Sequence, residues 1–254
     1  MPEHHMKLLR WNLICLLLIS AMPVMAQESA ESLVKKAIQA AGYPMDGKPY
    51  HQTWREQGKM TMAGQELPYD CSWAFEPASK FRFDMKAEVQ GQKMEIQFIQ
   101  NGDKAKETAM GVTQLLKGEK LEETTHSAYQ FWVNSLTPLI VEKGFTLKLA
   151  GEREFAGRKV SSVLVSREGR RDITLHFDQK TNLLAGCSDQ VKDEFQGWKL
   201  VNQESEFYDY EKAASGEMVF KRMIVKRDGQ VLLQSKFSDS KRQSELKPEL
   251  FKID

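Results

Sequence analysis

The sequence predicts a mainly β (α+β) fold: one strongly curved antiparallel sheet, or an unclosed β-barrel, of about ten or eleven strands, with helices covering its concave face. Apolar and polar residues alternate over many short segments, and Gly, Asn, Asp and Pro separate these segments. Two other segments have apolar residues at helical spacing. Outward strand positions are mostly charged or polar, so the apolar faces of these helices must be buried against the inner face of the sheet.

The N-terminus, residues 1–26, is predicted to be a cleavable signal peptide. Lys7 and Arg10 precede an apolar run, and Val24-Met25-Ala26 supplies the small residues of a cleavage site. The run is shorter than the roughly 20 residues that span a bilayer. We therefore expect cleavage after Ala26, and a periplasmic or otherwise exported protein that is not integral to the membrane. Residues 27–254 are expected to form a single domain.

Charge is balanced in the predicted mature chain. Removing Lys7, Arg10 and Glu3 from the 36 basic and 35 acidic residues leaves 34 of each. A balanced and scattered charge gives no reason to expect a nucleic acid partner.

The first predicted element is an amphipathic helix over residues 29–41. Ser29 is a suitable N-cap, and Gly42 is a natural C-terminal stop. A loop rich in Gly and Pro follows it, up to Tyr50.

Aromatic and methionine-rich strands are predicted next. Residues 67–76 alternate strictly, residues 81–87 repeat the pattern, and the Gly91 and Asn101-Gly102 turns join further strands. Large or flexible side chains all point to one face, and we take that face as the candidate wall of an apolar ligand cavity: Met60, Met62, Tyr69, Trp73, Phe75, Phe81, Phe83, Met85, Met94, Ile96 and Phe98.

A second amphipathic helix is predicted over residues 118–135, with Pro138 stopping it. A four-stranded meander then covers residues 145–187, and strands continue to Phe237. The inward residues of the meander should form the other wall of the sheet: Phe145, Leu147, Leu149, Val163, Val165, Ile173, Leu175 and Phe177.

The inner face has two interpretations. Helices and sheet could pack into a dry core, or they could enclose a lidded cavity for an acyl chain. Periodicity alone does not separate the two. Methionine is flexible and suits adaptable pockets, which favours the cavity.

Catalysis has little support in the sequence. His176 is predicted on an outward strand face beside Asp178, as a surface histidine. Nucleophile-elbow, zinc-protease and phosphate-loop motifs are absent from the sequence, and no carboxylate stands out in an apolar setting. We therefore expect a binding protein, not an enzyme, with no cofactor and no metal.

Cys71 and Cys187 remain after signal cleavage, in an oxidising compartment. A disulfide between them is allowed. Because Cys71 lies on an apolar strand face, two unpaired buried thiols fit the sequence equally well.

Short motifs along the mature chain resemble one known family. The segment EPASKFRF of Glu76–Phe83, the Asn-Gly-Asp turn at Asn101–Asp103 and the pattern G-R-x-V … L-x-F-D-x-x-T-x-L-L within residues 157–184 are similar to motifs of the periplasmic outer-membrane lipoprotein carrier and receptor family, the LolA/LolB-like family. The resemblance implies an unclosed barrel with a helical lid over an apolar cavity. In the carriers, that cavity takes up lipoprotein acyl chains.

Three departures from the family pattern affect the expected role. Glu76 stands where the carriers have an arginine, Lys104-Ala105-Lys106 stands where they have an aromatic residue, and the acylated cysteine of the receptors is missing. We expect a carrier of lipid or lipoprotein acyl chains in the cell envelope, with the lipid or acylated lipoprotein as its partner. The alternative is an envelope protein-interaction or stress-sensing module with the same fold and no small ligand.

Overall fold

The computed structural model of the protein describes residues 29–45, 51–62, 64–89 and 91–253. The predicted signal peptide and its cleavage site lie outside these residues. The helices are α1 (Ala30–Ala41), α2 (Gly118–Asn134) and α3 (Pro138–Val141), with 3₁₀ helices at Glu194–Gln196 and Pro248–Phe251. The strands are β1 (His51–Met62), β2 (Gln65–Glu76), β3 (Lys80–Val89), β4 (Gln92–Asn101), β5 (Lys104–Ala109), β6 (Val112–Leu115), β7 (Phe145–Phe155), β8 (Arg158–Arg167), β9 (Ile173–Asp178), β10 (Leu184–Asp193), β11 (Lys199–Tyr208), β12 (Glu211–Lys212), β13 (Met218–Val219), β14 (Arg222–Arg227) and β15 (Gln230–Gln243).

One antiparallel sheet of 13 strands organises the molecule, in the order β6-β5-β4-β3-β2-β1-β15-β14-β11-β10-β9-β8-β7. The pairing of β1 with β15 joins the N-terminal strands to the C-terminal ones, with Glu56 opposite Phe237 and Gly58 opposite Ser235. The edge strands β6 and β7 do not pair with each other over the described ranges, so the sheet stays open. Strands β12 and β13 form a separate two-stranded ribbon. The predicted fold class is confirmed.

The strand number exceeds the ten or eleven predicted. Strand β6 is exposed along its whole length, so no alternation of apolar and polar residues reveals it. Strand β1 begins at His51, and its first half is hard to recognise because Glu56 and Gly58 interrupt the apolar alternation. Residues 191–193 continue β10, and the chain then turns into the first 3₁₀ helix.

Both predicted amphipathic helices form. The Ser29 side chain accepts a hydrogen bond from the Ser32 backbone N–H at 3.1 Å, and Gly42 ends α1 in the left-handed conformation with φ of 69°. Helix α2 ends at Asn134 and Pro138 then begins α3, since proline fits the first turn of a helix and not its interior.

The main core lies between the helices and the inner face of the meander. Fully buried side chains of α1 and α2 pack against alternate residues of β8 and β9: Val34, Ile38, Tyr129, Val133, Val163, Val165, Ile173, Leu175 and Phe177. This half of the inner face is a packed core, as the dry-core interpretation expected, and the other half is not.

Leu149 does not belong to the inner wall. It is 41% exposed, whereas Phe145 and Leu147 are partly buried against the core. The pairing register of β7 with β8 shifts between Leu149 and Gly151, and this irregularity interrupts the alternation of the strand.

The prediction of a surface His176 was wrong. The imidazole ring is fully buried, and its centroid lies 4.2 Å from the centroid of the Phe155 ring. It is hydrogen-bonded to the hydroxyls of Ser162 at 2.9 Å and Ser188 at 3.0 Å. Phe155, at the end of β7, covers the outer face of β9 and β10, and outward positions there are buried as a result. Burial, together with the nearby charge of Arg153, lowers the pKa of His176 to about 3.

Candidate ligand cavity

A cavity of about 380 Å³ opens between the N-terminal strands, the C-terminal strands and α2. Its volume is within the range of about 300–1,000 Å³ that is typical of small-molecule sites. Its apolar and aromatic lining comes from both halves of the chain: Tyr43, Trp54, Met60, Tyr69, Trp73, Phe75, Phe83, Met85, Phe131, Phe207, Val219, Phe220, Met223, Val225, Leu232, Leu233 and Phe237.

The N-terminal wall of the cavity is aromatic. Strand periodicity places Trp54, Trp73 and Phe83 on one face of three neighbouring strands, because successive side chains point to opposite faces. Trp54 and Trp73 stack with centroids 5.5 Å apart, and Trp73 lies 4.5 Å from Phe83. Contacts of this kind stabilise a pair by about 0.5–1.5 kcal/mol beyond the area they bury, so the wall is built as one ordered cluster.

The C-terminal wall has its own aromatic cluster. Phe220 stacks on Phe207 at 4.4 Å and meets Phe237 edge-on at 5.0 Å. Met223 and Val225 of β14 complete the surface. The cavity therefore lies between two aromatic clusters that the β1–β15 pairing brings together.

Helix α2 covers the cavity with one of its faces. Ser127, Gln130, Phe131 and Asn134 line the cavity, and their spacing of three, four and seven residues places them on one stripe of the helix. The Phe131 ring reaches the aromatic wall, with centroids 5.9 Å from Trp54 and 5.2 Å from Trp73. The opposite face of α2 packs on the meander core, so this helix separates the packed half of the inner face from the hollow half.

Polar contacts hold the first turns of α2 on the sheet. Lys120 forms an ion pair with Glu107 of β5 at 2.9 Å. Arg171 donates to Glu123 at 2.5 Å. Farther along the helix, His126 is hydrogen-bonded to Asp189 of β10 at 2.5 Å, and both side chains are buried. Breaking a buried polar pair leaves one partner without a hydrogen bond, which is costly, so we expect the helix to stay anchored at this end.

A carboxyl group lies within the apolar wall. Glu56 of β1 is only 3% exposed and lines the cavity. Tyr69 donates its hydroxyl to Oε1 at 2.5 Å, and Trp73 donates its indole N–H to Oε2 at 2.7 Å. Burial raises the pKa of the Glu56 carboxyl, and the hydrogen bonds from Tyr69 and Trp73 oppose that rise.

Gly58 leaves room for the Tyr69 hydroxyl, which is hydrogen-bonded to Glu56. A Cβ atom at Gly58 would lie 2.2 Å from the Gln234 carbonyl oxygen and 3.0 Å from the Tyr69 hydroxyl. Real Cβ contacts are not that short, so only glycine allows β15 to pair this closely while Tyr69 lies across the strand.

Six of the eleven predicted cavity residues line the cavity: Met60, Tyr69, Trp73, Phe75, Phe83 and Met85. The other five do not. Phe81 is buried in the main core, Phe98 packs beside Phe83, and Met94 and Ile96 pack around a smaller cluster at Cys71. Met62, near the end of β1, lies beyond the cavity lining.

The meander, expected as the other wall of the sheet, does not line the cavity; its inward residues are packed under the helices. Most of the residues that replace it come from β11, β14 and β15, strands for which the sequence pattern predicted no role. Glu56 was missed because a glutamate and a glycine interrupt the apolar alternation Trp54-x-Glu56-x-Gly58-x-Met60. The period of two in that segment was nevertheless a signal that Glu56 points to the same face as Trp54 and Met60.

The disulfide between Cys71 and Cys187 is not formed; both thiols are free and buried. Cys71 packs with Tyr69 and Met85 in a cluster of its own, while Cys187 belongs to the main core under α2. Gln130 and Asn134 donate their side-chain amides to the Cys187 sulfur at 3.5 and 3.6 Å. The two thiols thus occupy separate clusters, which explains why they are unpaired.

The described residues contain no cluster of three or more His, Cys, Asp or Glu side chains with the arrangement of a metal site. Nor does that part of the chain include a helix long and apolar enough to cross a membrane.

No family model and no curated protein matches the sequence. Solved structures do match the fold. A LolA superfamily protein from Nitrosomonas europaea aligns with a TM-score of 0.55 at 12% identity, over 89% of this chain and 98% of that one. A DUF1329 family protein from Desulfovibrio piger aligns with a TM-score of 0.56 at 12% identity, over 89% and 98%. A domain named for outer membrane lipoprotein sorting, from Vibrio parahaemolyticus, aligns with a TM-score of 0.54 at 9% identity, over 87% and 97%. The chain therefore has the LolA-like fold that the sequence motifs predicted.

Proposed function

We propose that the protein is an exported carrier that binds lipid or lipoprotein acyl chains in the cell envelope. The acyl chain of the ligand would be buried in the cavity beneath α2. The observation that carries this proposal is the cavity of about 380 Å³, which has two aromatic walls and is covered by Phe131.

The lining suits an alkyl chain. Met60, Met85 and Met223 are flexible side chains within it, and methionine adapts its shape to irregular apolar ligands. Each methylene group buried in such a site contributes about 0.8 kcal/mol. The LolA-like fold is consistent with this role, and the Vibrio parahaemolyticus domain with this fold is named for lipoprotein sorting.

The test is a series of n-alcohols from hexanol to dodecanol, which displace the neutral fluorescent probe N-phenyl-1-naphthylamine from the purified protein. We expect affinity to rise about fourfold for each added methylene, the ratio that 0.8 kcal/mol gives, until the cavity is full. Trp73→Ala should weaken binding across the series. Phe195→Ala is the matched control, because Phe195 is 72% exposed and lies outside the cavity lining.

Mass spectrometry of organic extracts from protein purified out of its native envelope is the companion measurement. We expect a co-purifying lipid or acylated species. No probe uptake together with no extracted lipid would contradict the carrier proposal.

A second candidate function is an envelope protein-interaction module, and strand β6 favours it. This strand is an edge of the sheet, and Met110, Val112 and Leu115 around it are 79%, 70% and 54% exposed. Exposed apolar edges invite strand addition by a partner. A stoichiometric partner that is cross-linked in the envelope, lost on Val112→Glu and kept on Trp73→Ala would support the module over the carrier.

A further inference from the structure

The cavity contains a buried acid without a cationic partner. Glu56 accepts hydrogen bonds from the neutral groups of Tyr69 and Trp73, and the neutral Ser235 hydroxyl also acts to lower its pKa. The groups that shift the pKa of Glu56 among the described residues are Tyr69, Trp73 and Ser235, and none of these carries a positive charge. A buried carboxylate normally has a charged partner, because its desolvation is expensive.

The carboxyl group keeps capacity for a ligand. A carboxylate offers about four acceptor positions, and Glu56 uses some of them for Tyr69, Trp73 and the neighbouring Ser235. Because Glu56 lines the cavity, the remaining positions are accessible to a group placed inside it.

The aromatic neighbours of Glu56 favour a cation. The stacked rings of Trp54 and Trp73 line the cavity beside the carboxyl group. Indole faces attract ammonium groups, and this attraction strengthens when the pair is desolvated. Glu56 lies at the N–H edge of Trp73, and the tryptophan ring faces that line the cavity beside it add to a site that favours a positive group.

Arg227 is the basic side chain that lines the same cavity, and its charge is already compensated. Its guanidinium lies 3.3 Å from the Asp193 carboxylate and donates to Gln203 at 3.2 Å. An anionic head group would have to compete with Asp193 for Arg227, whereas a cationic head group meets no competing cation at Glu56.

We infer that the preferred ligand is an amphiphile with a protonated amine, whose ammonium group pairs with Glu56 while its alkyl chain lies between the two aromatic walls. This inference rests on the proposed carrier function and specifies its ligand class. Burial disfavours the ionised form of Glu56, and a nearby ammonium group would favour that form, whereas a carboxylate head would disfavour it further, so free fatty acids should bind poorly.

The experiment compares n-decylamine, n-decanol and decanoate, which have identical chains and cationic, neutral and anionic heads at pH 7. Displacement of N-phenyl-1-naphthylamine gives the affinity of each ligand. For the wild-type protein we expect decylamine to bind at least tenfold more tightly than decanol, and decanoate to bind most weakly. For Glu56→Gln we expect the amine-to-alcohol ratio to fall to within about twofold, with decanol affinity retained.

Glu66→Gln is the matched control, because Glu66 is an exposed carboxylate on β2 and should leave every affinity unchanged. Circular dichroism checks that Glu56→Gln folds. The wild-type ranking needs no variant, so it tests the inference even if that variant is unstable.

The outcomes separate the inference from the carrier function. Equal binding of amine and alcohol, or tightest binding of decanoate, would overturn the amine assignment and leave the carrier function standing. An amine preference that survives in folded Glu56→Gln would also overturn it. If none of the three ligands displaces the probe, the carrier function itself fails.

Discussion

The indole ring of Trp73 on β2 and the phenyl ring of Phe131 on α2 lie edge to face, with their centroids 5.2 Å apart. This contact joins an inward-facing residue of a strand to a residue on the cavity face of a helix. It also marks the boundary of the cavity, since both rings line it. The helix is therefore connected to the aromatic wall through one inserted side chain as well as through the polar contacts of its first turns.

Phe131→Ala should weaken the attachment of α2 to the sheet. The ring is partly buried against the core and also contacts Trp54 and Phe75. We expect unfolding to become easier by about 2–3 kcal/mol, below the 3–5 kcal/mol of a fully buried phenylalanine. Tryptophan emission should shift to the red as Trp73 gains solvent. Phe195→Ala is the control and its free energy of unfolding should stay within about 0.5 kcal/mol of the wild type; an equal loss in both variants would contradict a specific role of Phe131 in attaching α2.

Gly58→Ala should disturb the sheet where β1 meets β15. The new methyl group would lie 2.2 Å from the Gln234 carbonyl oxygen and 2.9 Å from the Ser235 Cα. Overpacking of this kind typically costs about 1–3 kcal/mol, and backbone atoms cannot rotate away. Chemical denaturation should show a loss near the upper end of that range. Lys59→Ala, at the neighbouring exposed position, should change stability little, and a tolerated Gly58→Ala would show that β15 can move outward.

The fold could be predicted because strand alternation and turn chemistry are local properties of the sequence. Residues 67–76 alternate strictly, and β2 covers them. Ser29 and Gly42 bound α1 as capping rules require. Strand β6 escaped prediction because exposed edges carry no pattern of burial.

The site was only half predictable for a different reason. Inward orientation can be deduced from alternation, but it does not tell which inward residues the helices cover. Helix α2 packs tightly on the meander but only spans the space above β11, β14 and β15, so the hollow region lies between Trp73 and Phe220. His176 is the opposite case: alternation places it on the outward face, but Phe155 packs over that face and buries the imidazole.

Cys71 and Cys187 should be unreactive in the folded protein. Both thiols are buried and free, and burial raises the pKa of the Cys187 thiol to about 12, so little nucleophilic thiolate forms. Iodoacetamide followed by peptide mapping should label neither cysteine in native buffer and both in denaturant without reductant. Failure to label them after unfolding would demonstrate a disulfide, and rapid native labelling would contradict their burial.

His176 should make the protein less stable in acid. Its pKa is about 3 in the folded state against an ordinary value of 6.5. The unfolded chain therefore binds a proton between these values and the folded protein does not, so stability falls as pH falls through 6.5. From pH 7 to pH 5, this group should lower the free energy of unfolding by about 2 kcal/mol.

The measurement is urea denaturation at pH 7 and pH 5 for the wild type, His176→Gln and Ser162→Ala. Carboxyl groups, including Glu56, contribute equally to the pH dependence of stability in all three proteins. Differences in pH dependence between the proteins therefore report on His176. We expect His176→Gln to lose about 2 kcal/mol of the pH dependence. Ser162→Ala removes a hydrogen bond to the ring but keeps the imidazole, so it should be less stable at both pH values with the pH dependence intact. If His176→Gln keeps the full pH dependence of the wild type, the buried neutral imidazole is not its cause.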